Sequence, residues 1–407
     1  MKIRSITCFV DPGWPLDPAV LRPVEKLIAA ARPAFEAAGY EVQTTRLATP
    51  PFPRVIGSGN PQCAVHLAQD LIAAARAAGL DYVCLGPALP EVPESYAAIR
   101  PVVEATQDVF LGGMLTAAGG VSLRAVRQCA GVIGALGPVL PNGFANLRFA
   151  ALANVPPGAP FFPAAYHAGG EPAFALALEA ADLAVAAFGR SGSLEEARQF
   201  LIAAIEQHAA SLTAVGRQMA QAHEVRFAGL DFTLAPFPLP ELSIGAALEV
   251  LGLPALGGSG SLAAAAFLAD TLDRASFPRT GFNGLMLPVL EDAVLAQRAA
   301  DGTLTVQDLL LYSAVCGTGL DTVPLPGDAS TDALAAVLLD VATLAVRLGK
   351  PLTARLMPVP GKRAGDPTDF DFAFFANSRI LALKGGSLGG LLAGDETFPL
   401  SPRPAGK

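Results

Sequence analysis

The stretch YVCLGPALPEVPESYAAIRPVVEATQDVFLGGML (82–115) contains one complete strand–helix–strand unit. Its first segment, 82–86, is short and apolar, which predicts a strand, and apolar residues at helical spacing predict a helix over 92–106. A second apolar run, 109–115, predicts another strand. Strands that alternate with helices in this way pair in parallel, so the stretch predicts a largely parallel α/β sheet.

The same alternation of strands and helices continues through most of the chain. Several predicted helices end at a glycine, for example at Gly39 and at Gly79. Strands are also predicted at 3–9, 40–48, 146–155, 226–238, 352–359 and 379–383. Helices are predicted at 17–38, 62–78, 122–134, 171–188, 193–223, 243–251, 261–273, 291–300, 304–312 and 330–348. We therefore expect one large α/β domain over 1–407, with a helical excursion at about 171–223 and a loosely packed end at about 385–407.

Composition limits the classes of partner. The 407 residues are 52% hydrophobic and only 16% charged, and this apolar excess favours a homo-oligomer that buries part of it. The net charge of −8 and the absence of a Lys/Arg cluster argue against nucleic acid as a partner. The uncharged windows 128–147 and 149–170 are broken by proline and glycine, so neither predicts a membrane-spanning helix.

The sequence gives weaker information on the cellular location of the protein and on its cofactors. The amino-terminal residues lack the apolar core of a signal peptide. The five cysteines are odd in number and widely spaced, which predicts neither a disulfide framework nor a zinc site. A reducing cytoplasm is the expected location, and the sequence identifies no cofactor.

SAVCGTGLDTVPLPGD (313–328) is the first candidate for chemistry. A thiol on a turn of small residues can be approached closely by substrate, and the N–H groups of Gly317 to Gly319 favour an anion there. Cys316 is thus a candidate nucleophile, with Asp321 as a group that orients its neighbour. The alternative is that Cys316 only fills a small buried space, as cysteine often does.

His167 and Asp231 are candidate partners of that thiol in catalysis. Asp231 stands in an otherwise apolar strand, where a carboxylate must be paired, and Arg279 or Arg355 is the expected partner. His167 and Glu171 would be the ligands if a metal is bound, with Asp231 completing a hydrolytic site. The alternatives are a hydrogen-bonded packing role for His167 and a helix-terminal role for Glu171.

A glycine-rich string and the residues after it predict a binding site for a small polar or anionic metabolite. The turn GGSGS (257–261) runs into an Ala-rich helix whose free N–H groups favour an anion, and Arg279 could clamp a carboxylate. An ordinary capped helix start is the alternative. The predicted binding residues are Gly258, Ser259, Gly260, Ser261, Arg279 and Asn283. Glu291 and Asp292 precede a helix, where acidic residues are expected in any case.

Several motifs together resemble one family. They are IRSIT (3–7), YHAGGE (166–171), DFTLAPFP (231–238), FNGLMLPVLED (282–292), SAVCGTGLDTVPLPGD (313–328) and RLMPVPGKRAGD (355–366). In this order they resemble domain-of-unknown-function family 711, the uncharacterised "PFL family protein". The resemblance implies the closed ten-stranded α/β barrel of pyruvate formate-lyase-like glycyl radical enzymes, with Cys316 on a loop inserted into the barrel. The C-terminal glycyl radical motif is absent, because no Arg or Tyr flanks the glycines of LKGGSLGG (383–390).

Three positions depart from the pattern of that family. Leu242 and Ser259 stand where the family has Asp and His, and Asn283 stands where Ser is more common. The leading hypothesis is a cytosolic enzyme that acts on a small polar or anionic metabolite at the Cys316 loop. The alternative is a non-catalytic metabolite-binding or scaffold protein that keeps the barrel after losing polar pocket residues.

Overall fold

Two β-sheets and the helices packed against them organise the molecule, whose computed structural model describes residues 1–402. The strands are β1 Lys2–Phe9, β2 Thr45–Ala48, β3 Tyr82–Ala88, β4 Val109–Met114, β5 Thr116–Ala117, β6 Gly120–Ser122, β7 Phe149–Ala153, β8 Ala173–Glu179, β9 Arg226–Ala235, β10 Gly319–Pro326, β11 Leu352–Val359 and β12 Thr397–Pro399. Nine of them form one sheet in the order β10-β11-β7-β4-β3-β2-β1-β8-β9. The remaining three form a small antiparallel sheet.

The large sheet has a parallel centre with a parallel pair of strands on each side. Strands β1, β2, β3, β4 and β7 run in one direction. The pair β8–β9 joins β1 in the antiparallel sense, and the pair β10–β11 joins β7 in the same way. The prediction of a mixed α/β fold with a mainly parallel sheet is therefore confirmed.

The predicted ten-stranded closed barrel is not confirmed, because no continuous strand joins β9 to β10 within residues 1–402. An irregular segment, 278–291, lies there and touches both edges. Its start pairs with Leu230 of β9, and its later part pairs with Asp321 of β10 through isolated bridges. Prolines and glycines in this segment remove ladder donors and regular geometry, which explains why it does not extend into a strand.

Helices cover one face of the sheet. They are α1 Arg22–Ala37, α2 Phe52–Val55, α3 Pro61–Ala77, α4 Ile99–Ala105, α5 Leu123–Leu136, α6 Ala181–Gly189, α7 Leu194–His223, α8 Ile244–Val250, α9 Ser261–Arg274, α10 Ala293–Ala300, α11 Val306–Tyr312 and α12 Thr331–Leu348. Short 3₁₀ helices lie at Pro18–Leu21, Pro93–Ala98, Pro141–Arg148, Pro240–Leu242 and Gly390–Ala393. In the described part of the chain, no helix combines the length and the apolarity that crossing a bilayer requires.

The opposite face, which we call the inner face, is lined by small residues. In β8, Ala173, Ala175 and Ala177 point to the inner face, while the Phe and Leu residues between them pack in the main core against the helices. Residues 156–170, the inner loop, occupy the space that these alanines leave. The loop is anchored by Thr7, whose hydroxyl donates to the carbonyl of Pro160. Small side chains on the sheet thus make room for a loop inside the fold.

Three predicted elements are wrong in part. The predicted helix at 171–188 is strand β8 followed by α6. An Ala- and Leu-rich run is compatible with the periodicity of a helix and with that of a strand, and burial on both faces favours the strand here. No strand forms at 379–383, where Arg379 makes only an isolated bridge. The end of the chain is partly ordered, since β12 pairs with β6; residues 403–407 of that prediction lie outside the described part.

A buried carboxylate fastens the irregular segment to the sheet edge. Asp231 accepts hydrogen bonds from the backbone N–H groups of Phe282 and Asn283, at 2.8 and 3.0 Å, and from the Thr233 hydroxyl. Asn283 reciprocates, because its Oδ1 accepts from the N–H of Phe232. Gly281, which precedes Phe282, has no room for a side chain, since a Cβ would lie 2.1 Å from the Asp231 carboxylate.

We predict that Asp231→Ala lowers the free energy of unfolding by at least about 3 kcal/mol, because it strands buried donors. Burial raises the pKa of Asp231 to about 6 from an ordinary 3.8, so the protonated carboxyl favours the fold. The stability that Asp231 contributes is complete below pH 3.8 and is lost as the pH rises through about 6. Urea unfolding should therefore show a larger loss in the variant at pH 4 than at pH 7.5.

The exposed Asp328 supplies the matched control, and Asp328→Ala should change the free energy of unfolding by less than about 0.5 kcal/mol. If Asp231→Ala also stays within that range at both pH values, Asp231 does not hold the segment.

Candidate functional site

A cavity of about 230 Å³ lies on the inner face, where β1 to β4 begin and β9 ends. It is closed on the sides by the inner loop and by the segment 370–375. Its charged and polar lining residues are Arg4, Gln43, Thr44, Arg46, Tyr82, Gln107, Asp108, Arg148, Glu291, Asp321 and Arg355. Its apolar lining residues are Phe110, Phe144, Leu147, Phe161, Phe162, Ala235, Met286, Phe372 and Phe374.

Arg4 reaches the cavity because β1 has a bulge. The register between β1 and β8 shifts between Ile3 and Ser5, so Arg4 leaves the regular alternation. Its guanidinium donates to Glu179 at 3.2 Å and to Glu291 at 2.8 Å. The same group stacks on Phe374, 5.2 Å from the ring centre, which places an aromatic wall against it.

Arg355 and Asp321 form a buried two-point ion pair in the cavity wall. Nε of Arg355 donates to one oxygen of Asp321 at 2.6 Å, and Nη2 donates to the other at 2.9 Å. The same Nη2 reaches Glu291 at 2.7 Å. Burial raises the pKa of Asp321, and the Arg355 guanidinium opposes that rise. Because Glu291 pairs with both Arg4 and Arg355, one ion-pair network joins five side chains. They are Arg4, Glu179, Glu291, Asp321 and Arg355.

Arg46 of β2 lies in the same cavity but outside that network. Its Nε donates to the Thr44 hydroxyl at 2.9 Å, and within residues 1–402 no carboxylate forms an ion pair with it. The guanidinium lies over Phe162 and Tyr82, at 5.1 and 5.9 Å from the ring centres. Burial, together with the positive charges of Arg4 and Arg355, lowers the pKa of Arg46. The site therefore holds a cation that lacks a direct counter-charge.

Aromatic rings form the apolar walls. Phe162 from the inner loop packs edge-on against Phe110, and Phe110 packs edge-on against Tyr82. On another side, Phe144 and Phe372 are in edge contact at 5.1 Å between ring centres. The cavity thus combines a charged floor with aromatic sides, which suits a small molecule that has a polar end and an apolar body.

Cys316 does not line this cavity. Its side chain is 2% exposed and belongs to the main core against the helices, and its Sγ accepts from the N–H of Gly319 at 3.2 Å. The backbone of Gly317 lies directly against that of Gly284, so the turn is tightly packed on that side. Asp321 of the same motif lines the cavity and Cys316 does not, and the expected pocket at the Cys316 loop stays a prediction. A nucleophilic role for Cys316 stays a prediction.

The other predicted catalytic residues are also separate from the cavity. Asp231 is fully buried in its contacts to the segment 278–291, and neither Arg279 nor Arg355 pairs with it. His167 is buried, and its Nε2 has no hydrogen-bond partner among the described residues. Glu171 is exposed. Within residues 1–402, no group of three or more His, Cys, Asp or Glu side chains is arranged to hold a metal.

The predicted anion-binding residues make contacts within the protein. Arg279 donates to the carbonyls of Leu272 and Ala275 and so closes the end of α9. Asn283 bonds Phe232 and Thr280. At the start of α9 the turn residues Gly258, Ser259 and Gly260 are exposed, whereas the buried Ser261 hydroxyl accepts from the N–H of Gly257 at 3.1 Å. None of these residues lines the cavity.

Asp292 has the structural role expected of an acidic residue at a helix start. It caps α10 by accepting from the N–H groups of Val294 and Leu295, and it also accepts from Ser243 and Ile244 at the start of α8. Glu291, its neighbour, instead points into the cavity. Adjacent acidic residues thus serve different purposes.

Arg4 and Arg46 are cavity residues that were not predicted from the sequence, although the signal that singled out Asp231 also applies to them. Each is a charged residue inside a predicted strand, and a charge that is buried there must find a partner. Arg355 appeared only as a partner for Asp231. The aromatic walls gave no comparable signal, because isolated Phe residues in a chain this apolar predict only core packing.

Comparison with known proteins gives a consistent family over most of the chain. The family described as "Uncharacterised ACR (DUF711)" matches residues 1–376. A UPF0210 protein of Pyrobaculum arsenaticum is 36% identical over 90% of this chain and 87% of its own length. UPF0210 proteins of Desulforudis audaxviator and Neisseria meningitidis serogroup C are 30% and 26% identical, over 82% and 89% of this chain and 77% and 83% of their own. The chain therefore belongs to the DUF711 family, as its motifs predicted.

Proposed function

We propose that this protein binds a small organic anion with an apolar body in the inner-face cavity, with Arg46 holding the anionic group. The observation that carries the proposal is Arg46 itself, a guanidinium among aromatic rings that has no ion pair with a carboxylate in the described chain. Placing such a charge in a confined, partly apolar space is costly unless an anion compensates it. A carboxylate or phosphate on the ligand would supply that compensation.

The neighbouring charges favour binding over proton transfer as the main task. Both oxygens of Asp321 are held by Arg355, and Glu291 is held by two arginines. These contacts occupy the carboxylate oxygens within the protein, which favours a charged wall that binds a ligand. Arg46 differs, since its terminal nitrogens have no hydrogen-bond acceptor among residues 1–402. The non-catalytic hypothesis from the sequence therefore gains support.

An enzyme that transforms the ligand is the second candidate function. It is favoured by one observation: Asp321, a predicted catalytic residue, lines the cavity, and burial raises the pKa of its carboxyl. Acid–base chemistry on a bound anion would then involve Asp321. A role for Cys316 in that chemistry would require the turn to open, because the thiol lies in the main core.

Three broader proposals accompany the function. The contacts of the segment 278–291 with both sheet edges support a barrel-like closure of the fold. The high hydrophobic fraction supports a homo-oligomer. The five cysteines are all free thiols, which supports a cytoplasmic location.

We predict that 3-phenylpropionate raises the thermal midpoint of the protein, whereas neutral 3-phenylpropanamide at the same concentration and ionic strength does not. Binding to the folded state alone stabilises it by about 2.7 kcal/mol at a ligand concentration a hundred times the Kd. Arg46→Gln should weaken the binding of 3-phenylpropionate by about 10- to 100-fold, because one charge-assisted contact is lost. Isothermal calorimetry on the wild type and the variant measures this difference.

The exposed Arg22 at the start of α1 gives a matched control, and Arg22→Gln should bind 3-phenylpropionate as the wild type does. Equal stabilisation by the acid and the amide, or equal affinity in wild type and Arg46→Gln, would contradict the proposal.

We further predict that iodoacetamide labels the partly exposed Cys63 in the native protein much faster than the buried Cys316. Burial also raises the pKa of Cys84 to about 12, so that thiol stays protonated and unreactive. Peptide mass spectrometry after short labelling at pH 7.5 measures each rate. Rapid labelling of Cys316, at or above the rate of Cys63, would show that the turn opens and would restore Cys316 as a candidate nucleophile.

A further inference from the structure

The ion-pair network on the inner face contains an unequal number of charges. Arg4 lies between Glu179 and Glu291, and Arg355 lies between Glu291 and Asp321. With all five groups ionised, two cations face three anions, so the network carries one excess negative charge. Of its carboxylates, Glu291 and Asp321 border the cavity and Glu179 does not. The excess negative charge is therefore open to the cavity.

Arg46 supplies the opposite charge on a different strand. It is separate from the network, and its guanidinium rests on the rings of Phe162 and Tyr82. The remaining charges of the lining are satisfied elsewhere. Arg148 donates to the carbonyls of Val103 and Thr106, and Asp108 pairs with Arg76 outside the cavity. One space thus contains a positive group and a negative group that do not neutralise each other by direct contact.

This arrangement discriminates between ligand classes. A simple carboxylate satisfies Arg46 but brings a second negative charge next to Glu291 and Asp321, and that repulsion is poorly screened in a confined site. A simple amine satisfies the network but leaves Arg46 alone. A molecule that carries both charges compensates both groups and adds no net charge. The aromatic walls require, in addition, an apolar body.

We infer that the ligand is a zwitterion, an amino acid with an aromatic or other apolar side chain, whose carboxylate pairs with Arg46 and whose ammonium lies against Glu291 and Asp321. This inference rests on the proposed function and specifies its ligand class. The side chain packs on Phe162, which lies against the Arg46 guanidinium, and on Phe110, which is in edge contact with Phe162.

Calorimetry at pH 7 with three related ligands tests the inference on the wild-type protein. L-Phenylalanine carries both charges, 3-phenylpropionate lacks the ammonium group, and 2-phenylethylamine lacks the carboxylate. We expect L-phenylalanine to bind at least about 10-fold more tightly than either, the effect of one charge-assisted contact. If 3-phenylpropionate binds as tightly as L-phenylalanine, the inference is overturned and the proposed function stands. If none of the three binds, both fail.

Asp321→Asn provides the second readout, with the exposed Asp328→Asn as its matched control. The substitution removes one negative charge and keeps the shape of the side chain, and Arg355 retains its bond to Glu291. We expect L-phenylalanine to bind at least about 10-fold more weakly to Asp321→Asn, with no loss of affinity for 3-phenylpropionate. Equal weakening for both ligands would overturn the inference. Should Asp321→Asn not fold, the comparison of ligands on the wild type still decides.

Discussion

The burial of charged side chains on the inner face is the constraint on which the rest of the structure depends. Arg4, Arg355 and their carboxylate partners have little contact with water, so each charge must be paired within the protein. The strands that carry them must therefore meet at fixed registers, and the bulge in β1 adjusts Arg4 to its partners. The alanines of β8 leave space for the inner loop, and the space that the loop leaves is the cavity.

Much of the fold was predictable because periodicity and helix-capping residues act locally. The helix predicted at 193–223 is confirmed as α7, and Ser193 caps it by accepting from the N–H of Glu196. The failures arise where local patterns are ambiguous. Strand β8 alternates Ala with Leu or Phe, and only its position between β1 and β9 makes it a strand. The ends of the sheet depend on long-range contacts of the segment 278–291, which no local pattern reveals.

The candidate site was predictable only in part, for a related reason. Asp321 was found because it follows a conspicuous turn, although its role there was tied to Cys316. The two residues are five positions apart, but Asp321 faces the inner side of β10 whereas Cys316 packs among the helices. Proximity in sequence did not place them in one site. Conversely, Arg46 and Asp321 are 275 positions apart in the chain and share a cavity because the sheet brings β2 and β10 to the same inner face. A site built from one residue on each of several strands has no sequence motif.

The central claim is that the cavity binds an organic anion through Arg46. A crystal structure with 3-(4-bromophenyl)propionate tests it most directly, because the anomalous signal of bromine locates the ligand without assumptions. We expect the bromine to lie among the aromatic walls and the carboxylate to lie roughly 2.7–3.0 Å from the Arg46 guanidinium. A bromine signal elsewhere on the protein, with the cavity free of ligand, would contradict it.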